Sequence, residues 1–208
     1  MDASLFLGTL LVVVAYLVGS IPFGIVVSKV FDREIDLRNV GSGNIGATNV
    51  ARALGKGAGI LTLLLDVGKA VLVLAVARLV MGASTDTWFA LIGGAVFLGH
   101  VFPVYLRFKG GKGVATVLGV VAFLSPVVAL SLVALFILVV LVTKYVSLGS
   151  LCAAAWLPVI MAFLGMSRPY ICLAILISCV VFWAHRQNIQ RLVAGQESRV
   201  GGSKKSSS

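Results

Sequence analysis

The chain has 208 residues, of which 60% are hydrophobic and 12% charged, with a net charge of +10. A mean hydropathy of +1.10 excludes a soluble globular domain and describes a polytopic membrane protein. The cations fall between apolar stretches without a basic-aromatic face, which excludes nucleic acid as a partner and points to anionic lipid headgroups and anionic substrates.

Six apolar runs follow one another, at 4 to 30, 58 to 81, 88 to 106, 114 to 142, 146 to 165 and 169 to 184. Their lengths suit helices that cross or nearly cross ~30 Å of hydrocarbon. The first run has no basic leader and no A-x-A cleavage site and is too long for a signal peptide, so it is expected to stay as an anchor. The segment 29 to 56 holds Lys29, Arg33, Arg38, Arg52 and Lys56, Arg107, Lys109 and Lys112 follow the third run, and Arg186, Arg191 and Arg199 follow the last. The preference of cations for the cytoplasmic side puts these three segments inside, and the amino terminus with Asp2 and the connector at 82 to 87 with Asp86 outside.

That parity requires the run 114 to 142 to turn back. Ser125-Pro126 is the place, because proline lacks an N–H and disfavours helix at the residue before it. The piece 114 to 124 is then only ~16 Å long. The expected fold is an all-α polytopic membrane protein of seven transmembrane helices, some short or partly re-entrant, with the N-terminus outside and the C-terminus cytoplasmic. Residues 1–200 form one domain, and GGSKKSSS at 201–208 reads as a disordered basic tail. Cys152, Cys172 and Cys179 lie in apolar runs without C-x-x-C spacing and are expected to be buried, inert thiols.

Three polar stretches then gather on the cytoplasmic side. In LRNVGSGNIGATNVARALGK, residues 37 to 56, Gly41, Gly43 and Gly46 permit close backbone approach, while Ser42, Asn44, Thr48, Asn49 and Arg52 supply donors suited to phosphate oxygens. The plain alternative is a glycine-rich connector. Gly110-Gly111-Lys112-Gly113 opens a helix, so backbone N–H groups, the helix start and the lysine all favour an anion. It is not a Walker A loop, since glycine follows the lysine; a tight turn with a lysine among headgroups is the competing reading.

The third stretch is HRQNIQR, in which His185 and Asn188 share a helix face if the helix continues. Ser147 offers a further hydroxyl, although by itself it reads as a helix cap. Asp66 and Lys69 inside the second run are expected to neutralise each other and clamp that helix to its neighbours, and Glu197 to pair with an arginine. Asp32, Glu34, Asp36 and Glu197 are the only cytoplasmic acids, and no H-E-x-x-H is present. Many anion ligands with few bases suggest a reaction in which phosphate is both bound and expelled.

GSGNIGATN with Arg52, GHVFPVYLRFKGGKGVAT, and HRQNIQR together resemble the bacterial acyl-phosphate:glycerol-3-phosphate acyltransferases of the PlsY type, in order and spacing across essentially the whole chain. The resemblance implies an inner-membrane enzyme that moves a fatty acyl group from acyl phosphate to the 1-hydroxyl of glycerol 3-phosphate, giving lysophosphatidic acid and phosphate. It implies no cofactor, metal or thioester donor. By motif position, Ser42, Thr48, Asn49 and Arg52 would hold the phosphate of the acyl donor. Gly110, Gly111, Lys112 and Gly113, assisted by Ser147, would bind glycerol 3-phosphate. His185 and Asn188 would sit near its hydroxyls, with Glu197 structural.

For the proton, His185 and a bound phosphate are both candidates, and a covalent route through Ser42 is the lesser option. An association with the enzyme that produces acyl phosphate is a further expectation. The rival reading from another class is an anion transporter, since glycine-rich half-helix starts also build transport sites.

Overall fold

The structure, a computed structural model, describes residues 3–82 and 85–200. Asp2 and the expected tail at 201–208 lie outside the described residues. Ten α-helices are present among them: α1 (Ala3–Gly19), α2 (Phe23–Phe31), α3 (Ala47–Leu54), α4 (Lys56–Met81), α5 (Asp86–Val101), α6 (Val114–Leu124), α7 (Pro126–Thr143), α8 (Val146–Phe163), α9 (Arg168–Ala184) and α10 (Arg186–Val193).

The first apolar run is not one helix. Pro22 has no N–H to offer the carbonyl of Val18, which instead accepts from Ile21 at 3.1 Å, and the chain restarts as α2. The break at Ser125-Pro126 is where proline chemistry puts it. Pro126 is the first residue of α7, and the Ser125 hydroxyl accepts from the Val128 N–H at 3.4 Å. α6 is therefore an 11-residue helix. α9 ends at Ala184, and α10 leaves it at 59°.

α5 is the centre of the bundle, touching α1, α4, α6 and α9. Its Phe89, Ile92, Val96 and Phe97 are fully buried. In lipid, helices gain nothing by hiding apolar surface from water, so close backbone approach and dispersion must hold them together. The sequence provides this with small residues. A methyl on Gly99 would run into the Tyr16 carbonyl, and one on Gly19 into the Val96 carbonyl, so α1 and α5 meet backbone to backbone. The Tyr16 hydroxyl adds a bond to the Phe102 carbonyl at 2.7 Å.

Inside α8, Pro158 cannot donate to the Ala154 carbonyl, and the Ser178 hydroxyl of α9 donates to it at 2.6 Å instead. The outer faces are apolar: Leu79, Leu130 and Phe163 are 84%, 70% and 88% exposed, which suits hydrocarbon and not water. Cys172 and Cys179, seven apart on α9, belong to this exposed face, and Cys152 is half-buried. The expected burial fails because an apolar run on a membrane helix has a lipid side as well as a packed one.

Among the described residues five segments are long and apolar enough to cross a membrane, with α1 and α2 counted together, or six when α9 and α10 count as one bent span. The molecule is an all-helical integral membrane protein.

Candidate active site

The loop before α3 is organised by Asn49. Its side chain is buried, its amide donates to the carbonyls of Leu37 and Val40 at 3.0 Å each, and its oxygen accepts the Ser42 N–H at 2.9 Å. Gly41 has φ +60°, and a methyl there would strike that same Asn49 oxygen, so glycine is required twice over. Asn49, expected to hold a substrate phosphate, lines the cavity, and both of its amide hydrogens are engaged by the loop, so that it also fixes Ser42. Asp36 tightens the same turn by accepting from the Arg38 N–H and the Asn39 amide. Ser42, Thr48, Asn49 and Arg52 all face one cavity, and Arg52 has no ion pair among the described residues.

The second motif is laid onto the end of α5. The Gly110 N–H donates to the Val101 carbonyl and the Gly111 N–H to the His100 carbonyl, at 3.2 Å each. Those two donors are thus turned away from any incoming anion. The glycines serve closeness instead, since a methyl on Gly110 would meet the His100 carbonyl and one on Gly111 the His100 ring. The N–H groups of Lys112 and Gly113 meet no acceptor among the described residues. Gly113, at φ +79°, turns the chain into α6.

Glu197 joins the remaining residues. Its carboxylate accepts from the Ser147 hydroxyl at 2.7 Å, the Asn188 amide at 2.6 Å and Arg191 Nε at 2.8 Å, and Asn188 in turn accepts from Lys112 Nζ. Ser147 is thus not a helix cap; α8 is entered from Tyr145. Burial works against the Glu197 carboxylate, but hydrogen bonds from Arg191, Ser147 and Asn188 hold it below the usual carboxylate range. For Lys112, burial lowers the ammonium to about 8; Arg191 and Arg52 push the same way, against the pull of Glu197.

His185 stands at the bend between α9 and α10, not within one continuous helix, yet it lines the same cavity as Asn188. Its Nδ1 lies 2.8 Å from the Val181 carbonyl. A carbonyl can only accept, so Nδ1 carries the proton and Nε2 keeps its lone pair. Burial, joined by the Lys112 charge, lowers its pKa to about 4, and the ring is neutral at physiological pH.

These groups form the polar head of a cavity of about 540 Å³, in which Ser42, Thr48, Arg52, Lys112, Ser147 and His185 all take part. The cavity continues between α6, α7, α8 and α9 as an apolar slot that reaches Val121, Ala129, Leu132, Leu157 and Ile177, all buried. On the other side of Lys112 lies a second chamber of about 470 Å³, rimmed by Arg38, Lys109, Arg186 and Arg191. Sequence reasoning noted these four cations only as topology signals. It also left His100 aside, although the structure puts it against Asp66, Lys69 and the glycine loop.

An apolar slot capped by cations, a hydroxyl and a neutral imidazole defines a membrane enzyme that handles a lipid chain and a phosphate group together. A transporter needs polar access from both ends, and this slot ends among aliphatic side chains. Residues 9–195 match the family model described as glycerol-3-phosphate acyltransferase. Proteins named glycerol-3-phosphate acyltransferase from Trichlorobacter lovleyi and Syntrophotalea carbinolica are 49% and 46% identical, covering 89% and 91% of this chain and 93% and 96% of theirs. Among solved structures, PlsY, an integral membrane glycerol 3-phosphate acyltransferase, matches in its glycerol 3-phosphate form with a TM-score of 0.88 at 43% identity, over 96% of each chain. Its lysophosphatidic acid form matches with a TM-score of 0.85 at 41% identity. The chain belongs to this family of membrane glycerol-3-phosphate acyltransferases.

Proposed function

We propose that the chain transfers a fatty acyl group from acyl phosphate to the 1-hydroxyl of glycerol 3-phosphate, giving lysophosphatidic acid and inorganic phosphate, the first acylation of membrane phospholipid synthesis. The observation that carries it is the single cavity that joins an apolar slot to the cluster Ser42, Arg52, Lys112 and His185. Ser42, Thr48 and Arg52 take the donor's phosphate. Lys112, with the N–H groups beside it, takes the acceptor's phosphate, and Ser147, Asn188 and Glu197 hold Lys112 in place. The reaction runs on the cytoplasmic face of a bacterial inner membrane, in a chain of seven membrane helices that counts α6 as the short one.

In the transfer, the 1-hydroxyl oxygen bonds to the acyl carbonyl carbon, the bond from that carbon to the phosphate oxygen breaks, and the electron pair leaves on phosphate. Arg52 and the Ser42 hydroxyl stabilise the charge that gathers there. For the proton, a ring lowered to about 4 is a weak base near neutrality. A phosphate group with a second pKa of about 6 is the stronger one. The hydroxyl proton accordingly passes to a phosphate oxygen, while His185 Nε2 accepts a hydrogen bond that aims the hydroxyl. Direct transfer is favoured over a covalent route, because no base stands within hydrogen-bonding distance of the Ser42 hydroxyl among the described residues.

The test is phosphate release by purified protein given acyl phosphate with and without glycerol 3-phosphate. Release should depend on the acceptor, and Lys112→Ala should raise the acceptor KM by about tenfold or more. Acyl phosphate left intact by folded protein would overturn the reading.

A further inference from the structure

We infer that Asp66, Lys69 and His100 form a positioning network that holds the Gly110–Gly113 loop, and through it Lys112, at the height the acceptor phosphate requires. This rests on the reading of that loop as the glycerol-phosphate site. All three side chains are buried in the bundle, where ionisable groups are costly and an apolar contact would join the helices as well or better. What these residues gain for the protein must therefore be geometry.

The Lys69 ammonium has three neighbours: it pairs with the Asp66 carboxylate, Oδ1 at 2.8 Å, lies 3.0 Å from His100 Nδ1, and donates to the Ile21 carbonyl at 3.1 Å. The last of these belongs to the chain break between α1 and α2, so Lys69 ties that break, its own helix α4 and the end of α5 together. His100 Nδ1 lies between Lys69 Nζ at 3.0 Å and Asp66 Oδ1 at 3.3 Å, and the two together fix the orientation of the ring. The other ring nitrogen, Nε2, faces Gly111 so closely that no methyl fits between them. The Gly111 N–H is bonded to the carbonyl of the same histidine.

The loop thus lies on the imidazole, the imidazole is oriented by Lys69, and Lys69 by Asp66 and Ile21. Asp66 and His100 also line the cavity that Lys112 caps. None of the three is given a part in the chemistry; they act through the loop. A shift of the loop by an ångström moves Lys112 relative to the acceptor phosphate and leaves the donor's phosphate at Ser42 and Arg52 untouched.

The experiment is a size-swap cycle on the full-length enzyme, with KM measured separately for both substrates. Gly111→Ala drives the loop off the ring and should raise the glycerol 3-phosphate KM by about tenfold or more, while the acyl phosphate KM moves by less than about twofold. His100→Asn offers an acceptor to Lys69 and removes the ring beneath Gly111. In that background Gly111→Ala should cost no more than about threefold, so the two changes are strongly non-additive. Independent multiplication of the two effects, or equal shifts in both KM values accompanied by lowered melting temperature, would overturn the proposal. Should Gly111→Ala fail to fold, Asp66→Asn decides by the same split, and an unaltered acceptor KM there overturns it. Lys112→Ala separates the two levels. If it leaves the acceptor KM unchanged, the glycerol-phosphate reading has failed; if it raises that KM while the cycle is additive, only the network has.

Discussion

Lys112 is a cation placed where its charge is hard to keep. Burial brings it to about 8, so the protonated form that attracts phosphate is lost as pH rises through that value. The acceptor KM should therefore climb above about pH 8, and Lys112→Arg, whose guanidinium stays charged across that range, should flatten that limb. On the acid side the two proton acceptors separate. With a phosphate as the acceptor, activity falls as pH drops through about 6. With His185 as the base, it would persist down to about 4. We expect the limb near 6, retained in His185→Gln at reduced kcat, and a pH–rate profile of both proteins decides it.

At this scale the residue types were legible and their partners were not. Ser42, Arg52, Lys112 and His185 stand together around one cavity, and Asn49 beside them spends its amide on three hydrogen bonds to its own loop. Nothing in one sequence distinguishes an amide that binds a ligand from one that braces a loop.

Among the elements, α6 to α9 build the apolar slot, and its depth is set by helix geometry. From Ser147 to Leu157 on α8 is ten residues, or ~15 Å, room for about a dozen methylenes. Ala129 lines the deep end on α7 and is buried. Ala129→Phe should shorten the slot and lower kcat/KM for a donor of ~16 carbons by about tenfold or more, with one of ~10 carbons within about twofold. Equal losses for both lengths would show that Ala129 does not bound the chain.

The helix ends follow the same division between what could and could not be read. Ser125-Pro126 breaks the long fourth run where parity demanded a break. Pro22 was equally visible in the first run, but no parity argument pointed to it, and the apolar residues on either side hid the division into α1 and α2. The slot itself was illegible because Leu, Val and Ile look alike whether they face a ligand, a neighbouring helix or lipid.

For the whole molecule, the charge distribution sets an orientation that can be measured. In a protein with Cys152, Cys172 and Cys179 replaced by serine, Thr85→Cys should react with a membrane-impermeant thiol reagent from outside intact cells. Lys144→Cys should react only in inverted vesicles. The opposite pattern would reverse the proposed topology. Membrane class and helical architecture were legible because composition and run length follow from the thickness of hydrocarbon. The way α5 sits at the centre was not, since its glycines look like flexibility in sequence and prove to be contact surfaces against α1.

The two chambers meeting at Lys112, one aliphatic and one cationic, have a consequence for kinetics. Glycerol 3-phosphate arrives from three dimensions, but the acyl donor is supplied from a plane, and the concentration that governs its capture is its mole fraction among neighbouring lipids. Adding inert lipid at constant total donor should slow turnover, whereas adding buffer should not affect capture of the donor. For this protein, a rate constant in molar units describes only one of its two substrates.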